Sequence, residues 1–99
     1  MLSNNRLIPQ TLHEGFTLYS VEIEINNKDH RRISAIKFLQ EYKDYAHMEH
    51  EFRLWAKDIN KTLSEGNYVD ISAYYPNTIS DTWMHMTEYR TLEDRFLTF

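Results

Sequence analysis

The sequence predicts an α+β domain in which a small antiparallel sheet, of about three strands, packs against two consecutive central helices and a short C-terminal helix. Three observations carry this prediction. The segments FTLYSVEIEIN (16–26) and NYVDISAYY (67–75) alternate apolar and polar residues with the period of a half-buried strand. Between them, residues 33–63 contain neither Gly nor Pro, and the second half of that stretch carries apolar residues every three or four positions.

Taken in order, residues 1–15 form a polar N-terminal arm. Its large apolar side chains are Leu2, Leu7, Ile8 and Leu12, and Pro9 excludes a regular central strand. A single α+β domain then spans residues 16–99. In the first strand Tyr19, Val21, Ile23 and Ile25 share one face, with Ser20, Glu22 and Glu24 on the other. Asn26-Asn27-Lys28-Asp29 is a turn, from which Asn27 or Asp29 can cap a following helix.

At 100° per residue, Met48, Phe52, Trp55, Ile59 and Leu63 fall in an arc of roughly 80° around Tyr45. Ile33, Ile36 and Leu39 fall outside that arc, so one straight helix would present two apolar faces. The reading adopted is two helices, at about Arg32–Tyr42 and about Tyr45–Leu63, with Asp44 as N-cap of the second and Gly66 as its left-handed terminator. In the next strand Val69, Ile71, Ala73 and Tyr75 oppose Tyr68, Asp70, Ser72 and Tyr74, and Pro76-Asn77 closes it. Residues 81–89 read as a strand that forms a hairpin with it, placing Met84 and Met86 on one face; the runner-up treats everything from Trp83 as helix. Residues 91–99 read as a short helix capped by Thr91, with Asp94 completing a variant capping box.

Composition narrows function by exclusion. The 99 residues fit one core, 14% of them are aromatic, and the net charge is −4. Interleaved charges with an acidic excess argue against direct nucleic-acid binding. With no cysteine, disulfides and thiolate-bound zinc are excluded, in keeping with a reducing compartment. No apolar run reaches the length of a membrane span and MLSNNRLIPQ lacks the apolar core of a signal peptide, so the expected location is the cytoplasm. There is no G-x-S-x-G and no Gly-rich phosphate loop. His47-Met48-Glu49-His50-Glu51 lacks the spacing of the helical zinc motifs and reads as a solvated helix face, so neither metal nor cofactor is expected. Glu22 and Glu24 read as the solvated or helix-facing side of an edge strand rather than an acid–base pair.

The run ISAYYPNTISDTWMHMTEYRTLEDRFLTF resembles in layout the dimeric α+β-barrel proteins, which include antibiotic-biosynthesis-type monooxygenases. There a strand leads through a polar turn into a second strand ending in Glu and an aromatic, followed by a short helix. Glu88 and Tyr89 match that ending, residues 91–99 the helix, and VEIEIN the first strand. The resemblance implies a cofactor-free oxidoreductase. The chain departs from it in the longer first connection and in Tyr89, where Trp is common, and no catalytic residue carries over.

The reading of the residues themselves favours a noncatalytic protein-binding domain: a small acidic inhibitor, immunity or regulatory protein that blocks a partner's surface. The partner is another protein, nucleic-acid-binding or enzymatic, and a homodimer is compatible with the pattern. The expected binding surface is the outer face of the second helix, where His47, His50, Glu51, Asp58 and Lys61 surround Leu54, an apolar centre in a charged rim. Tyr68 and Tyr74 mark a second patch on the sheet.

Overall fold

The protein is described by a computed structural model that covers residues 14–98. The arm predicted for residues 1–15 lies almost wholly outside the described residues. The described chain runs β1 (Thr17–Asn26), β2 (Arg32–Tyr42), α1 (Tyr45–Asn60), β3 (Tyr68–Asn77), β4 (Thr82–Arg90) and β5 (Arg95–Thr98). The strands form one five-stranded antiparallel sheet in the order β2-β1-β3-β4-β5. Both the predicted architecture and its mostly helical runner-up are therefore corrected: among the described residues, five strands and a single helix replace about three strands, two central helices and a C-terminal helix.

The first error lies in residues 32–42. Ile33, Ile36 and Leu39 recur every three residues, but Ile36, Phe38, Gln40 and Tyr42 also alternate, and alternation wins. They pair with Ile23, Val21, Tyr19 and Thr17 of β1, which places them on the α1 side of the sheet. Ala35, Lys37, Leu39, Gln40 and Glu41 tolerate a helix well, yet tertiary pairing overrides propensity. Asn27 accordingly caps no helix; its side-chain oxygen accepts from the backbone N–H of Asp29 (2.9 Å) and Arg31 (3.1 Å) and closes the β1–β2 turn.

The break before α1 is where the sequence places it. Asp44 is extended, and its carboxylate accepts from the His47 backbone N–H at 2.8 Å. We expect Asp44→Ala to cost about 1 kcal/mol, read from denaturant melts; a loss within error would mean that the cap is not carried by this side chain. The helix ends at Asn60, short of Leu63, with Lys61 as C-cap. Gly66 does adopt a positive φ of 87°, but in the turn entering β3 rather than as the helix terminator.

The second error lies at the C-terminus. Thr91 caps no helix: its hydroxyl accepts from Val69 N–H (2.9 Å) and donates to Val69 C=O (2.8 Å), tying the end of β4 to β3. The chain turns through Asp94, which has a positive φ of 52°, and returns as β5. The helix expected at that position from the dimeric-barrel resemblance is thus also corrected.

One layer of side chains joins the sheet to α1. Val21, Ile23, Val69, Ile71 and Ala73 meet Met48, Phe52 and Ala56, all buried, with Tyr42 and Tyr89 closing the two sides. Phe52 lies among the rings of Tyr42, Trp55 and Phe96, at centroid distances of 6.1, 5.9 and 6.3 Å. Trp55, expected in the core, is only partly buried and meets Phe38 edge-on. Arg53 lies across Phe96 and Tyr89 and tethers the helix to the β4–β5 end.

Candidate functional site

Because α1 covers one face of the sheet, the other face is free to carry polar groups, as antiparallel sheets allow. Strand register builds that face in rows. Ser20, Tyr74 and His85 stand side by side, then Glu22, Ser72 and Glu88, then Glu24, Asp70 and Arg90. The rows hold because β3 and β4 contain a bulge: Ala73 pairs with Thr87 but Tyr74 pairs with His85, leaving Met86 as the extra residue. The faces expected for residues 81–89 are corrected accordingly, since His85 turns to the open face while Thr87 and Tyr89 turn to α1. Glu22 and Glu24 lie on β1, which is an interior strand and not an edge.

Most charges on this face are matched. Arg32 Nε lies 2.9 Å from Glu24 Oε2, Arg90 Nε lies 3.1 Å from Glu88 Oε2, and Lys37 stands opposite Glu22 and near the Tyr74 ring. Tyr74 and His85 stack at 4.9 Å between ring centroids. Asp70 differs. Its Oδ1 is buried and makes no hydrogen bond. Burial, and then the charge of Glu88, push its carboxyl up to about 7, with Arg90 pulling the other way. Asp70 lines an open cleft of about 240 Å³ with His30, Tyr68, Arg90, Leu92 and Glu93, where His30 Nδ1 and Tyr68 Oη are 2.7 Å apart. A carboxyl titrating near neutrality beside a phenol and an imidazole can exchange protons. The cleft, however, lies on the face away from α1, while the layer between sheet and helix, where a dimeric-barrel oxidoreductase would need its apolar pocket, is occupied by the buried side chains named above.

Beyond the rows, β3 and β4 leave the body of the sheet. The pairing of β1 with β3 stops at Ser20–Tyr74, but Tyr75, Pro76 and Asn77 continue to pair with Met84, Trp83 and Thr82. The result is a two-stranded ribbon. Asn77 shapes its tip by accepting from the backbone N–H of Ile79 (3.0 Å) and Ser80 (3.3 Å). Ile79 is 97% exposed, and Tyr75 and Met84 are exposed as well. Asp81 is the only charged residue between positions 75 and 84.

The residues expected to bind a partner along α1 separate into two groups. His47 and Glu51 serve the fold: His47 Nδ1 accepts from Lys43 N–H at 3.2 Å and its ring meets Tyr42 edge-on, while Glu51 Oε1 accepts from Tyr42 Oη (2.8 Å) and Gln40 Nε2 (3.3 Å). Burial and the Glu51 carboxylate raise the Tyr42 phenol above its ordinary value, so that this donor stays protonated. His50, Leu54, Asp58 and Lys61 remain on the outer face, Leu54 being 48% exposed and Asp58 pairing loosely with Lys61 at 3.9 Å. Among the described residues no group of three or more His, Asp or Glu side chains could hold a metal ion, and no helix is long and apolar enough to cross a membrane.

The sequence reading missed the cleft and the ribbon. The cleft is assembled from three separate stretches of chain, and no local pattern marks it. The ribbon had a signal, a nearly charge-free aromatic run from Tyr75 to Met84 across a turn. Compared with known proteins, the chain matches no family model, no curated protein and no solved structure.

Proposed function

We propose that this protein is a noncatalytic protein-binding domain, an acidic inhibitor, immunity or regulatory protein, and that it engages its partner with the β3–β4 ribbon. The observation that supports this reading is the ribbon itself. It holds Tyr75, Ile79 and Met84 in solvent, away from the core that could bury them. Aromatic residues and Met with few charges are the composition of an interface centre, and the polar rows beside Tyr74 and His85 supply a rim. The partner fitted to it presents an apolar groove.

The test is affinity capture from the source cells with wild type, Ile79→Asp and Leu54→Asp, with melts of all three. Both substitutions fall on exposed positions and should leave stability within about 0.5 kcal/mol. Loss of the partner with Ile79→Asp alone supports the ribbon. Loss with Leu54→Asp alone moves the site to the outer face of α1. Equal recovery by all three proteins would sink both surfaces.

A further inference from the structure

The ribbon holds a sulfur atom in surroundings that the core methionines do not share. The sequence contains no cysteine, so its sulfur chemistry with oxidants falls to methionine. Of the methionines among the described residues, Met48 is fully buried and Met86 packs against the core, whereas Met84 is 40% exposed. Met84 pairs directly with Tyr75, which is also exposed, so the two side chains form one apolar flank of the ribbon behind Ile79 at its tip. The sulfur has a polar neighbour. Thr82 donates its hydroxyl to Met84 Sδ at 3.7 Å, and Thr82 Oγ1 lies 2.7 Å from Ser80 Oγ. A thioether is a weak acceptor and an oxygen bound to that sulfur is a strong one, so a donor for oxidised Met84 is already in place.

We propose that Met84 is an oxidative modification site, and that its conversion to the sulfoxide by hydrogen peroxide switches off the apolar surface of the ribbon. The proposal rests on the ribbon being the partner-binding surface and names the regulation of that surface. In the reaction the Met84 sulfur lone pair attacks one peroxide oxygen; the S–O bond forms and the O–O bond breaks. The proton on the attacked oxygen passes to the departing oxygen, which leaves as water. Sulfur loses two electrons and peroxide gains them. The product is polar where the reactant was apolar. At Met84 this sets an S–O dipole beside Tyr75, in the middle of the apolar flank. Thr82 satisfies part of its accepting capacity, but an apolar groove closing over the ribbon strips water from the rest, which costs binding energy. Stability is spared because Met84 stands outside the core cluster. The same change at Met48 or Met86 would drive a polar group into the core, and burial shields those two sulfurs from the oxidant.

The test treats the intact chain with hydrogen peroxide and follows each methionine by peptide mass spectrometry. Met84 should oxidise roughly tenfold faster than Met48 and Met86, in step with exposure. The treated protein should keep its melting transition and elute earlier than untreated protein from a phenyl-substituted matrix, which reads the apolar surface without the partner. Reduction by a methionine sulfoxide reductase should restore the retention. Met84→Leu should elute at one position before and after peroxide, which assigns the shift to Met84 and not to Met1 or another oxidisable side chain. In affinity capture from the source cells, peroxide should cost the wild type its partner, while Met84→Leu recovers the same amount treated and untreated. Equal oxidation rates at Met84 and Met86, or an unchanged elution once Met84 is oxidised, overturn the proposal. So does undiminished partner recovery by the oxidised wild type when Ile79→Asp loses the partner. If Ile79→Asp keeps the partner while Met84 oxidises selectively and shifts the elution, the ribbon reading fails and the modification site stands.

Discussion

Phe52→Ala is expected to destabilise the protein by about 3–5 kcal/mol, the largest effect of any single change considered. The ring is fully buried and touches both ends of the core, Tyr42 at the β2 side and Phe96 at the β5 side. Alanine would remove the ring and leave a cavity that α1 cannot close, because Met48 and Ala56 one turn away are already packed against the sheet. A domain of this size has total stability on the order of 5–15 kcal/mol, so the variant would be marginal. Phe52→Leu keeps much of the volume and should lose roughly half as much, which keeps the measurement possible if the alanine variant does not fold. Urea melts of both variants give the answer; a loss below about 1 kcal/mol for alanine would mean that the helix does not pack through this face.

Asp70→Asn should behave in the opposite sense and only over part of the pH range. The folded protein holds the Asp70 carboxyl up to about 7, against an ordinary value of 3.8. Below about pH 4 the group is protonated whether the chain is folded or not, and it contributes nothing. Between about pH 4 and 7 the folded state keeps a proton that the unfolded chain releases, so stability falls as pH rises through this window and levels off above it. Asparagine carries no such charge and can still donate to Glu88. At pH 8 the variant should exceed wild type by about 1–2 kcal/mol, less than the raised value alone would convert to, because the carboxyl reaches solvent through the cleft. Near pH 4 the two should coincide. The difference between the two melts isolates Asp70, because every other group is common to both proteins. A gap that does not change with pH would mean that the carboxyl is fully solvated.

How much of this was legible in the sequence depended on whether one signal stood alone. β1 and β3 were readable because alternation there has no rival: VEIEI and VDISA cannot be laid out as an amphipathic helix. The second helix was readable in phase, and Asp44 in role, because Tyr45, Met48 and Phe52 follow immediately on a capping residue. Residues 32–42 satisfied two periods at once, and what decided between them was the vacant edge of β1, which the sequence does not display. Thr91 looked like a helix cap because its hydroxyl does serve backbone groups, but those of Val69, 22 positions away. Of the binding surface expected on α1, the exposure of Leu54 could be read from helix phase, whereas the use of Glu51 by Tyr42 and Gln40 depended on β2 being a strand. Asp70 was assigned to its face, but its unusual carboxyl arises from burial and then from the charge of Glu88 on the next strand, and neither is displayed by the local sequence.

The placement of β1 between β2 and β3 bears on how the chain finds its shape. β1 meets β2 across a turn of five residues, Asn27–Arg31, and β3, β4 and β5 form their own meander, so both are built from near neighbours. The seam between them joins Val21 to Ala73 and Ile25 to Val69, contacts that require the whole of β2 and α1 to be looped out first. Closing that loop is the costly event, and the docking of α1 over the seam accompanies it. Conservative truncations at Val21 or Ile71 should therefore slow refolding, whereas truncations in the β3–β4 ribbon should leave the folding rate unchanged.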